Sequence, residues 1–373
     1  MLSESDVALL TRWVLLATFA LSAAFGAIVQ RTDFCTMGAV ADIVTMGSWT
    51  RMRQWALAAG VAMLGFAALS AGGWIRPADS LYGGPDWMWL SALVGGLLFG
   101  FGMVLASGCL SKNLVRAGAG NLKSLVALLV AALFAYITLR GVTAVLRVAT
   151  VDRVFARFDG PATLGFLLQG ISGWPLASAL LLAAAGVGGI FIAWALLGRH
   201  FLNANNLLAG VGTGAVVVGM WWVAGHLGYV AENPATLEAV YLGSRSGRME
   251  ALSFTAPLAE SIHWLMYYSD ASLHLGMAVV SVVGVIAGAC AHALLTRSFH
   301  WQGFRSTEDL ANHLAGGALM GVGGVTALGC TVGEGLSGLS NLSLTAFAAT
   351  ASIIAGAVVA LRYQAWRMEH LLQ

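Results

Sequence analysis

The stretch "GGLLFGFGMVLASGC" (residues 95–109) decides the fold, because the chain repeats it as "GGALMGVGGVTALGC" (316–330). Nine of the fifteen positions match at a constant offset of 221 residues, and the single cysteine of each copy, Cys109 and Cys330, stays in register. Glycine-rich apolar segments match easily by chance, but a match that also keeps the cysteine is much rarer. The two stretches therefore indicate an internal duplication.

The composition predicts an integral membrane protein. The chain is 58% hydrophobic and only 10% charged, with a mean hydropathy of +0.81. Soluble domains carry about 25% charged residues, so this much apolar surface requires lipid as its solvent. The net charge of +2 and the lack of a basic run argue against a nucleic-acid partner.

Hydropathy predicts an all-α polytopic fold, since a spanning helix needs about 20 apolar residues. We expect a single membrane domain over 1–373, with a first half-repeat over 9–141 and a second over 176–362. A polar connection at 142–175 separates the halves, and a polar insertion at 230–270 interrupts the second. The nine candidate spans are 9–29, 54–73, 88–108, 122–141, 176–197, 207–229, 272–295, 310–330 and 343–362. Short glycine-rich segments after the cysteines are expected to be embedded in the membrane.

The count of spans also predicts how the repeat is oriented. The two matching stretches fall on the third and eighth spans, so they run in opposite directions and form an inverted pseudo-twofold repeat. In such folds the substrate site lies near the midplane between the repeats. Lys and Arg residues number 11 on the C-terminal face against 8 on the other, which favours a periplasmic N-terminus and a cytoplasmic C-terminus.

The remaining cysteines differ in context. Cys35 lies in "QRTDFCTMGAVAD" (30–42), and a loose alignment places Phe201-Leu202 of the second half opposite Phe34-Cys35. Cys290 has no comparable motif and is expected in the core. No two cysteines have a CxxC spacing, so neither a metal nor a disulfide framework is expected.

These cysteine-centred motifs identify the chain as similar to a known family. "RTDFCTMGAVAD" (31–42), "GFGMVLASGCLSKNLVRAGAGNL" (100–122) and "GGALMGVGGVTALGCTVGEGLSGLS" (316–340) resemble the YeeE/YedE family of bacterial inner-membrane proteins. The resemblance covers Gly26 to Arg362. It implies an hourglass-like fold and uptake of thiosulfate or a related sulfur anion. It also implies that Cys35, Cys109 and Cys330 line the substrate path. Some relatives work beside a small TusA-like sulfur-carrier protein, so a partner of that kind stays open. Some relatives are associated with selenium, so a selenium compound stays open as substrate.

The chemistry of an anion path explains why thiols, hydroxyls and backbone N–H groups stand together here. A bare anion in hydrocarbon is very costly, so donors must replace its hydration shell. Helix N-termini supply N–H groups, and a neutral thiol is a weak, polarizable donor that lets a ligand leave again. The predicted supporting contacts are Ser111, Lys112, Asn113, Arg116, Thr331, Gly333 and Glu334.

Two features leave alternatives open. Lys112 and Arg116 share one helix face, either as an interfacial solvated pair or as an electropositive mouth. Glu334 is unexpected in an anion path: it points away, or carries protons, or the substrate is not simply thiosulfate. No nucleotide-binding loop, G-x-S-x-G or HExxH motif is present, so ATP-driven transport by this chain alone is not expected. The inverted repeat with thiols near the midplane predicts a transporter, and a membrane sulfurtransferase and an accessory subunit stay open as alternatives.

Overall fold

The computed structural model describes residues 3–234, 236–270 and 273–371, which are mostly helical. The α-helices in chain order are α1 Glu4–Thr32, α2 Thr36–Met46, α3 Thr50–Ala71, α4 Trp89–Leu105, α5 Leu110–Gly118, α6 Leu122–Arg140, α7 Val142–Ala149, α8 Leu164–Ser172, α9 Leu176–Leu196, α10 Ala204–Leu207, α11 Thr213–Trp222, α12 Thr255–Met266, α13 Met277–Leu295, α14 Thr307–Thr326 and α15 Leu344–Leu371. Three π-helical turns are π1 Leu208–Gly212, π2 Val223–Leu227 and π3 Gly333–Gly338. Two antiparallel strand pairs join β1 Asp86–Trp87 to β2 Ala156–Arg157, and β3 Tyr229–Val230 to β4 Val240–Tyr241.

Eight helical segments of the described chain are long and apolar enough to cross a membrane. They coincide with eight of the nine predicted spans, which confirms a multi-pass, all-α membrane protein. The ninth predicted span, 310–330, is formed by α14. This helix is 20 residues long, but Glu308, Asp309 and His313 make its first turns polar. Because α14 packs against both α4 and α6, it nevertheless lies inside the bundle.

Reciprocal glycine contacts relate the two copies of the repeat. A Cβ on Gly95 would lie 2.7 Å from the carbonyl oxygen of Gly323, and a Cβ on Gly102 would lie 2.7 Å from that of Gly316. Gly95 and Gly102 are the repeat counterparts of Gly316 and Gly323, so each contact becomes the other when the copies are exchanged. Helices α4 and α14 therefore run antiparallel about a pseudo-twofold axis, and glycine allows their backbones to approach this closely.

The next long helix after each motif, α6 or α15, packs against the other copy of the repeat. A Cβ on Gly100 of α4 would collide with the carbonyl oxygen of Ile353 in α15, and a Cβ on Gly321 of α14 would collide with that of Ala131 in α6. The two copies are thus interlocked: α4 packs against α15 while α14 packs against α6. This exchange fixes the positions of the two motif cysteines relative to each other.

The structure corrects the expected counterpart of Cys35. Short helix α2 packs on α3 and α15, and short helix α12 packs on α13 and α6, the partners that the pseudo-twofold exchange requires. Phe254 at the start of α12 is therefore the counterpart of Cys35. The predicted alignment to Phe201 is wrong, because Phe201 packs with Leu57 and Ala195 in a separate cluster. Helix α9 packs on α3 outside the pseudo-twofold pairing. The predicted alignment treated α9 as an element of the second repeat, and this placed the wrong segment opposite Cys35.

Candidate functional site

The same backbone turn precedes each of the three cysteines. A non-glycine residue with left-handed backbone lies two positions before each thiol: Asp33 (φ 54°) before Cys35, Ser107 (φ 56°) before Cys109 and Leu328 (φ 66°) before Cys330. The left-handed residue ends the preceding long helix. The chain then reverses, so each cysteine stands at the beginning of a short helical segment.

Four short segments begin at one place inside the bundle. Helices α2, α5 and α12 start directly after Cys35, Cys109 and Phe254, and the turn containing π3 follows Cys330. The Cys35 and Cys109 thiols are close neighbours. The Cys330 thiol lies near the backbone of Phe254 and near the Cys109 thiol. We call Cys35, Cys109 and Cys330 the thiol layer. The positive ends of several short helices therefore meet there.

Each thiol of the layer is buried and makes only weak polar contacts. Cys35, Cys109 and Cys330 are 7%, 1% and 0% exposed. The N–H of Gly38 donates to Cys35 Sγ at 3.4 Å, and the N–H of Gly333 donates to Cys330 Sγ at the same distance. Cys109 Sγ lies 3.2 Å from Ser111 Oγ. Because sulfur is a weak acceptor, a stronger acceptor such as an oxyanion can replace it at these donors.

Two cavities approach the thiol layer from opposite ends of the bundle. The Asp33 cavity has a volume of about 470 Å³, and its walls include Gln30, Asp33, Ser107, Lys112, Arg116 and Lys123. The Glu334 cavity has a volume of about 370 Å³, and its walls include Tyr82, Leu139, Arg147, Arg248, Gly329 and Glu334. Helix α6 has Lys123 near its start in the first wall and Leu139 near its end in the second, so the cavities lie at opposite ends of this 19-residue helix.

The thiol layer separates these two cavities. Ser107, in the wall of the Asp33 cavity, lies two residues before Cys109, and Gly329, in the wall of the Glu334 cavity, directly precedes Cys330. The Cys109 and Cys330 thiols are electrostatic neighbours. The Cys109 and Cys330 thiols therefore lie between residues that line the two cavities.

The Asp33 cavity contains a buried cation with an acidic partner that sequence reasoning missed. The Lys112 side chain is only 7% exposed, and its Nζ lies 2.8 Å from Oδ1 of Asp33, whose side chain is 72% exposed. Arg116 donates from Nη1 to the carbonyl oxygen of Ser107 at 2.5 Å. Lys112 is therefore not an interfacial solvated side chain. The only sequence signal for this pair is the position of Asp33, two residues before a cysteine.

Arg31 and Asp42, which flank Cys35 in the sequence, do not pair with each other. Asp42 Oδ2 instead lies 3.3 Å from Nε of Arg51 at the start of α3. This ion pair attaches α2 to α3. The Asp42 carboxylate therefore helps to hold the short helix α2 in place.

The other predicted polar residues divide into turn-forming groups and available donors. Asn113 donates from Nδ2 to the carbonyl oxygens of Gly108 at 2.7 Å and Cys109 at 3.2 Å, so its amide holds the turn. The Gly333 N–H is occupied by the Cys330 thiol. Thr331 is 2% exposed, its hydroxyl has no hydrogen-bond partner within the described chain, and it lies beside the Cys109 thiol. Thr331 is the side chain best placed to donate to an anion.

Glu334 is completely buried and lies in the wall of the Glu334 cavity. Neither of its carboxyl oxygens has a hydrogen-bond partner among the described residues. At the repeat offset of 221 residues Glu334 is the counterpart of Asn113. It therefore does not point away from the site, which removes the first of the three explanations for it.

Cys290 lies within helix α13 rather than at a turn, and it is partly exposed. Across residues 3–234, 236–270 and 273–371, no group of three His, Cys, Asp or Glu side chains is arranged to hold a metal ion.

Comparison with known proteins places the chain beside sulfur transporters. A family model described as "Sulphur transport" matches residues 31–359. The thiosulfate transporter TsuA of Escherichia coli (strain K12) is 26% identical over 319 residues, which cover 84% of both chains. The thiosulfate transporter TsuA of Spirochaeta thermophila is 26% identical over 345 residues, which cover 89% of this chain and 93% of that protein.

Proposed function

We propose that this chain, which belongs to the sulphur-transport family, carries thiosulfate across the membrane between its two cavities. One observation carries the proposal: three buried thiols and the starts of several short helices meet between cavities that lie at opposite ends of the bundle. The two relatives that cover most of the chain are named thiosulfate transporters.

The donors of the thiol layer suit a divalent sulfur anion. Thiosulfate presents three oxygens and one terminal sulfur, and all four share its negative charge. The N–H groups at the starts of α2, α5 and α12 and the hydroxyl of Thr331 can donate to the oxygens. Neutral thiols donate weakly to the terminal sulfur. Weak contacts at several adjacent points favour passage over retention.

We assign the end with the Asp33 cavity to the cytoplasm. Helix α1 ends beside Asp33 and α15 begins at the Glu334 cavity, so the N-terminus lies at the Glu334 end and the C-terminus at the Asp33 end. The excess of Lys and Arg on the C-terminal face supports this orientation in a bacterial inner membrane. Uptake then runs from the Glu334 cavity towards Lys112. A sulfur-carrier protein that accepts the anion belongs on the same side as Lys112.

Uptake of radiolabelled thiosulfate into proteoliposomes tests the proposal. We expect Cys109→Ala to lower the initial rate by about tenfold or more, which corresponds to about 1.4 kcal/mol. We expect the largest effect at Cys109 because its buried thiol stands at the start of α5 and its Sγ lies 3.2 Å from Ser111 Oγ. Cys330→Ala should act in the same direction. Cys290→Ala is the matched control, since that thiol lies on α13 outside the layer.

The same assay distinguishes transport from enzymatic sulfur transfer. Uptake that is unchanged in both Cys109→Ala and Cys330→Ala would contradict a path through the thiol layer. A persulfide on Cys35, Cys109 or Cys330 after incubation with thiosulfate, detected by mass spectrometry, would instead favour a sulfurtransferase. Competition by unlabelled sulfate, sulfite and selenium oxyanions ranks the substrates, and we expect thiosulfate to compete best.

A further inference from the structure

We propose that Glu334 is a proton-binding site, and that one proton enters with the anion when the protein imports thiosulfate. The inference rests on the proposed transport function and adds the coupling ion to it. The proton comes from water in the Glu334 cavity, binds a carboxyl oxygen, and is released to water on the opposite side after the anion has passed. One dianion and one proton then cross together, which moves one net negative charge.

The pseudo-twofold relation shows what a buried side chain does at this position. In the first copy Asn113 donates from its amide to the carbonyl oxygen of Gly108 at 2.7 Å. In the second copy Glu334 takes the place of Asn113 and Gly329 takes the place of Gly108. Oε1 of Glu334 lies 3.0 Å from the point where a Cβ of Gly329 would stand, so the carboxyl group is beside that glycine.

Only the protonated carboxyl group of Glu334 has the hydrogen-bonding capacity of the Asn113 amide. A carboxamide and a carboxylic acid both present a donor and an acceptor, whereas a carboxylate presents acceptors only. A carboxylate beside Gly329 has no hydrogen to offer to the turn, whereas the Asn113 amide of the first copy donates to two carbonyl oxygens of its own turn. Protonation converts Glu334 into a donor that can hold the turn as Asn113 holds its own.

The surroundings of Glu334 offer it little compensation for a negative charge. The side chain is 0% exposed and neither oxygen has a partner within the described chain. The Tyr82 ring is a near neighbour, since a Cβ on Gly338 would lie 3.1 Å from Oε2 of Glu334 and 3.2 Å from Cδ1 of Tyr82. The ionic side chains in the wall of the Glu334 cavity are Asp86, Arg147 and Arg248.

Two of these three cavity groups already have partners. Arg147 lies 2.9 Å from Oδ2 of Asp152. Asp86 is bound by Arg157 through two hydrogen bonds of 2.6 Å and 2.9 Å. No hydrogen bond from a described residue, Arg248 included, reaches the carboxyl group of Glu334. A buried charge without a partner is costly, and a proton removes that cost.

The position of Glu334 in the path turns this proton into a coupling device. An anion in the Glu334 cavity lies beside the wall that the buried Glu334 helps to form, and Cys330 of the thiol layer stands four residues earlier in the chain. A dianion and a carboxylate repel each other strongly at low dielectric. Anion binding therefore favours the protonated form, and by linkage protonation favours anion binding.

The test compares net uptake with exchange in proteoliposomes that contain wild-type protein or Glu334→Gln. Glutamine imitates the protonated carboxyl permanently but cannot release a proton. We expect an inward proton gradient to stimulate net thiosulfate uptake by wild type several-fold, with entry of protons detected by an internal pH dye. Glu334→Gln should lose both the stimulation and the proton entry. Its exchange of external labelled for internal unlabelled thiosulfate should persist and should not respond to the proton gradient, because exchange needs no net proton movement.

The pH dependence gives a second measurement. At equal pH on both sides, exchange by wild type should fall as the pH rises from about 6 to about 9, the range in which buried carboxyl groups titrate. Exchange by Glu334→Gln should stay level. Glu250→Gln is the matched control, because this carboxylate lies in the neighbouring cavity and bonds to Ser244 instead. It should keep the wild-type profile.

Two results would overturn the proton site. One is a Glu334→Gln protein that keeps the proton stimulation and the wild-type pH profile. The other is a Glu334→Gln protein that unfolds at the wild-type temperature but catalyses neither uptake nor exchange. A wild-type protein that carries no thiosulfate under any gradient would instead refute the proposed function, so the two failures are distinguishable.

Discussion

The turn at Cys109 and the turn at Cys330 have the same backbone and opposite electrostatics. Both pass from a long helix through a left-handed residue and a glycine to the cysteine. The helix after Cys109 then carries Lys112 and Arg116, which line the Asp33 cavity. The segment after Cys330 carries Glu334, which lines the opposite cavity. What the two copies share builds the crossing point, and what differs between them distinguishes the two sides of the membrane.

A second difference between the copies lies at the start of the first short helix in each. Cys35 stands before α2, whereas Phe254 stands before α12 and packs against Phe25 at a ring separation of 5.7 Å. The four positions at which the short segments begin therefore carry three thiols and one aromatic side chain. The thiol pair Cys35–Cys109 lies on one side of the pseudo-twofold axis, and Cys330 faces the backbone of Phe254 on the other. An anion would thus meet one thiol and then two.

The largest effect is expected where the two copies touch. Gly100→Ala and Gly321→Ala each place a methyl group against a backbone carbonyl of the opposite copy, at Ile353 and Ala131. Backbone atoms cannot move aside as flexible side chains do. We expect each substitution to lower the free energy of unfolding by about 1–3 kcal/mol, and the two losses to agree within about 1 kcal/mol. Unfolding monitored by denaturant or heat in detergent measures both.

Gly189→Ala is the matched control for these glycines. It also lies within a membrane helix, α9, but nothing stands within 4 Å of the added Cβ. Alanine should raise stability there by up to about 1 kcal/mol through its better helix propensity. If Gly100→Ala is costly and Gly321→Ala is neutral, the contacts are not reciprocal and the pseudo-twofold relation fails.

The repeat was readable in the sequence because glycine and cysteine keep their places where backbones and thiols meet. Gly95, Gly102, Gly316 and Gly323 match at one offset and are the residues of the reciprocal contacts. The counterpart of Cys35 could not be read in this way, since Phe254 retains neither the thiol nor the spacing of the first copy. The counterpart of Cys35 is identified by the long helices against which α12 packs, and only the tertiary structure shows this packing.

The partner of Lys112 was hidden for a similar reason. Asp33 lies 79 residues before Lys112. No periodic pattern connects residues that far apart, so only the fold brings the end of α1 beside α5. The sequence shows that Asp33 lies in the turn before Cys35, but it does not show which way the Asp33 side chain points. Glu334 was recognised as unusual from the sequence, whereas its complete burial without a partner required the structure.

An intermediate effect is expected from the cation that only the first copy has. Lys112→Met removes the buried ammonium group from the wall of the Asp33 cavity and keeps an unbranched side chain that is one heavy atom shorter. We expect the KM for thiosulfate, presented from the Asp33 side, to rise by about three- to tenfold, with a smaller change in the maximal rate. The reason is that an electropositive mouth concentrates anions. The rise should shrink at high ionic strength, where the attraction is screened.

Asp33→Asn changes the same pair in the opposite sense. The amide leaves Lys112 without its carboxylate partner, which lies 2.8 Å away in the native protein. An anion can then take that place, so we expect a lower KM and slower release from the Asp33 side. Equal KM values for wild type, Lys112→Met and Asp33→Asn would show that the pair serves only to attach α5 to the end of α1. The contrast between the two mouths would then lose its functional meaning.

The smallest effect concerns what the two turns have in common. Ser107 and Leu328 hold left-handed backbone, which costs a non-glycine residue about 1 kcal/mol. Glycine removes this cost but adds freedom to the unfolded chain. We therefore expect Ser107→Gly to raise the free energy of unfolding by no more than about 0.5 kcal/mol, and Leu328→Gly to change it by a similar amount in either direction, because this half-exposed leucine also loses apolar contact.

Ser107→Val and Leu328→Val are the sharper probes. A β-branched side chain is strongly disfavoured at positive φ, so both should destabilise by about 1–2 kcal/mol in the same unfolding assay. If only one valine variant is destabilised, the two turns do not share a conformation, and the likeness between the half-sites is confined to the long helices.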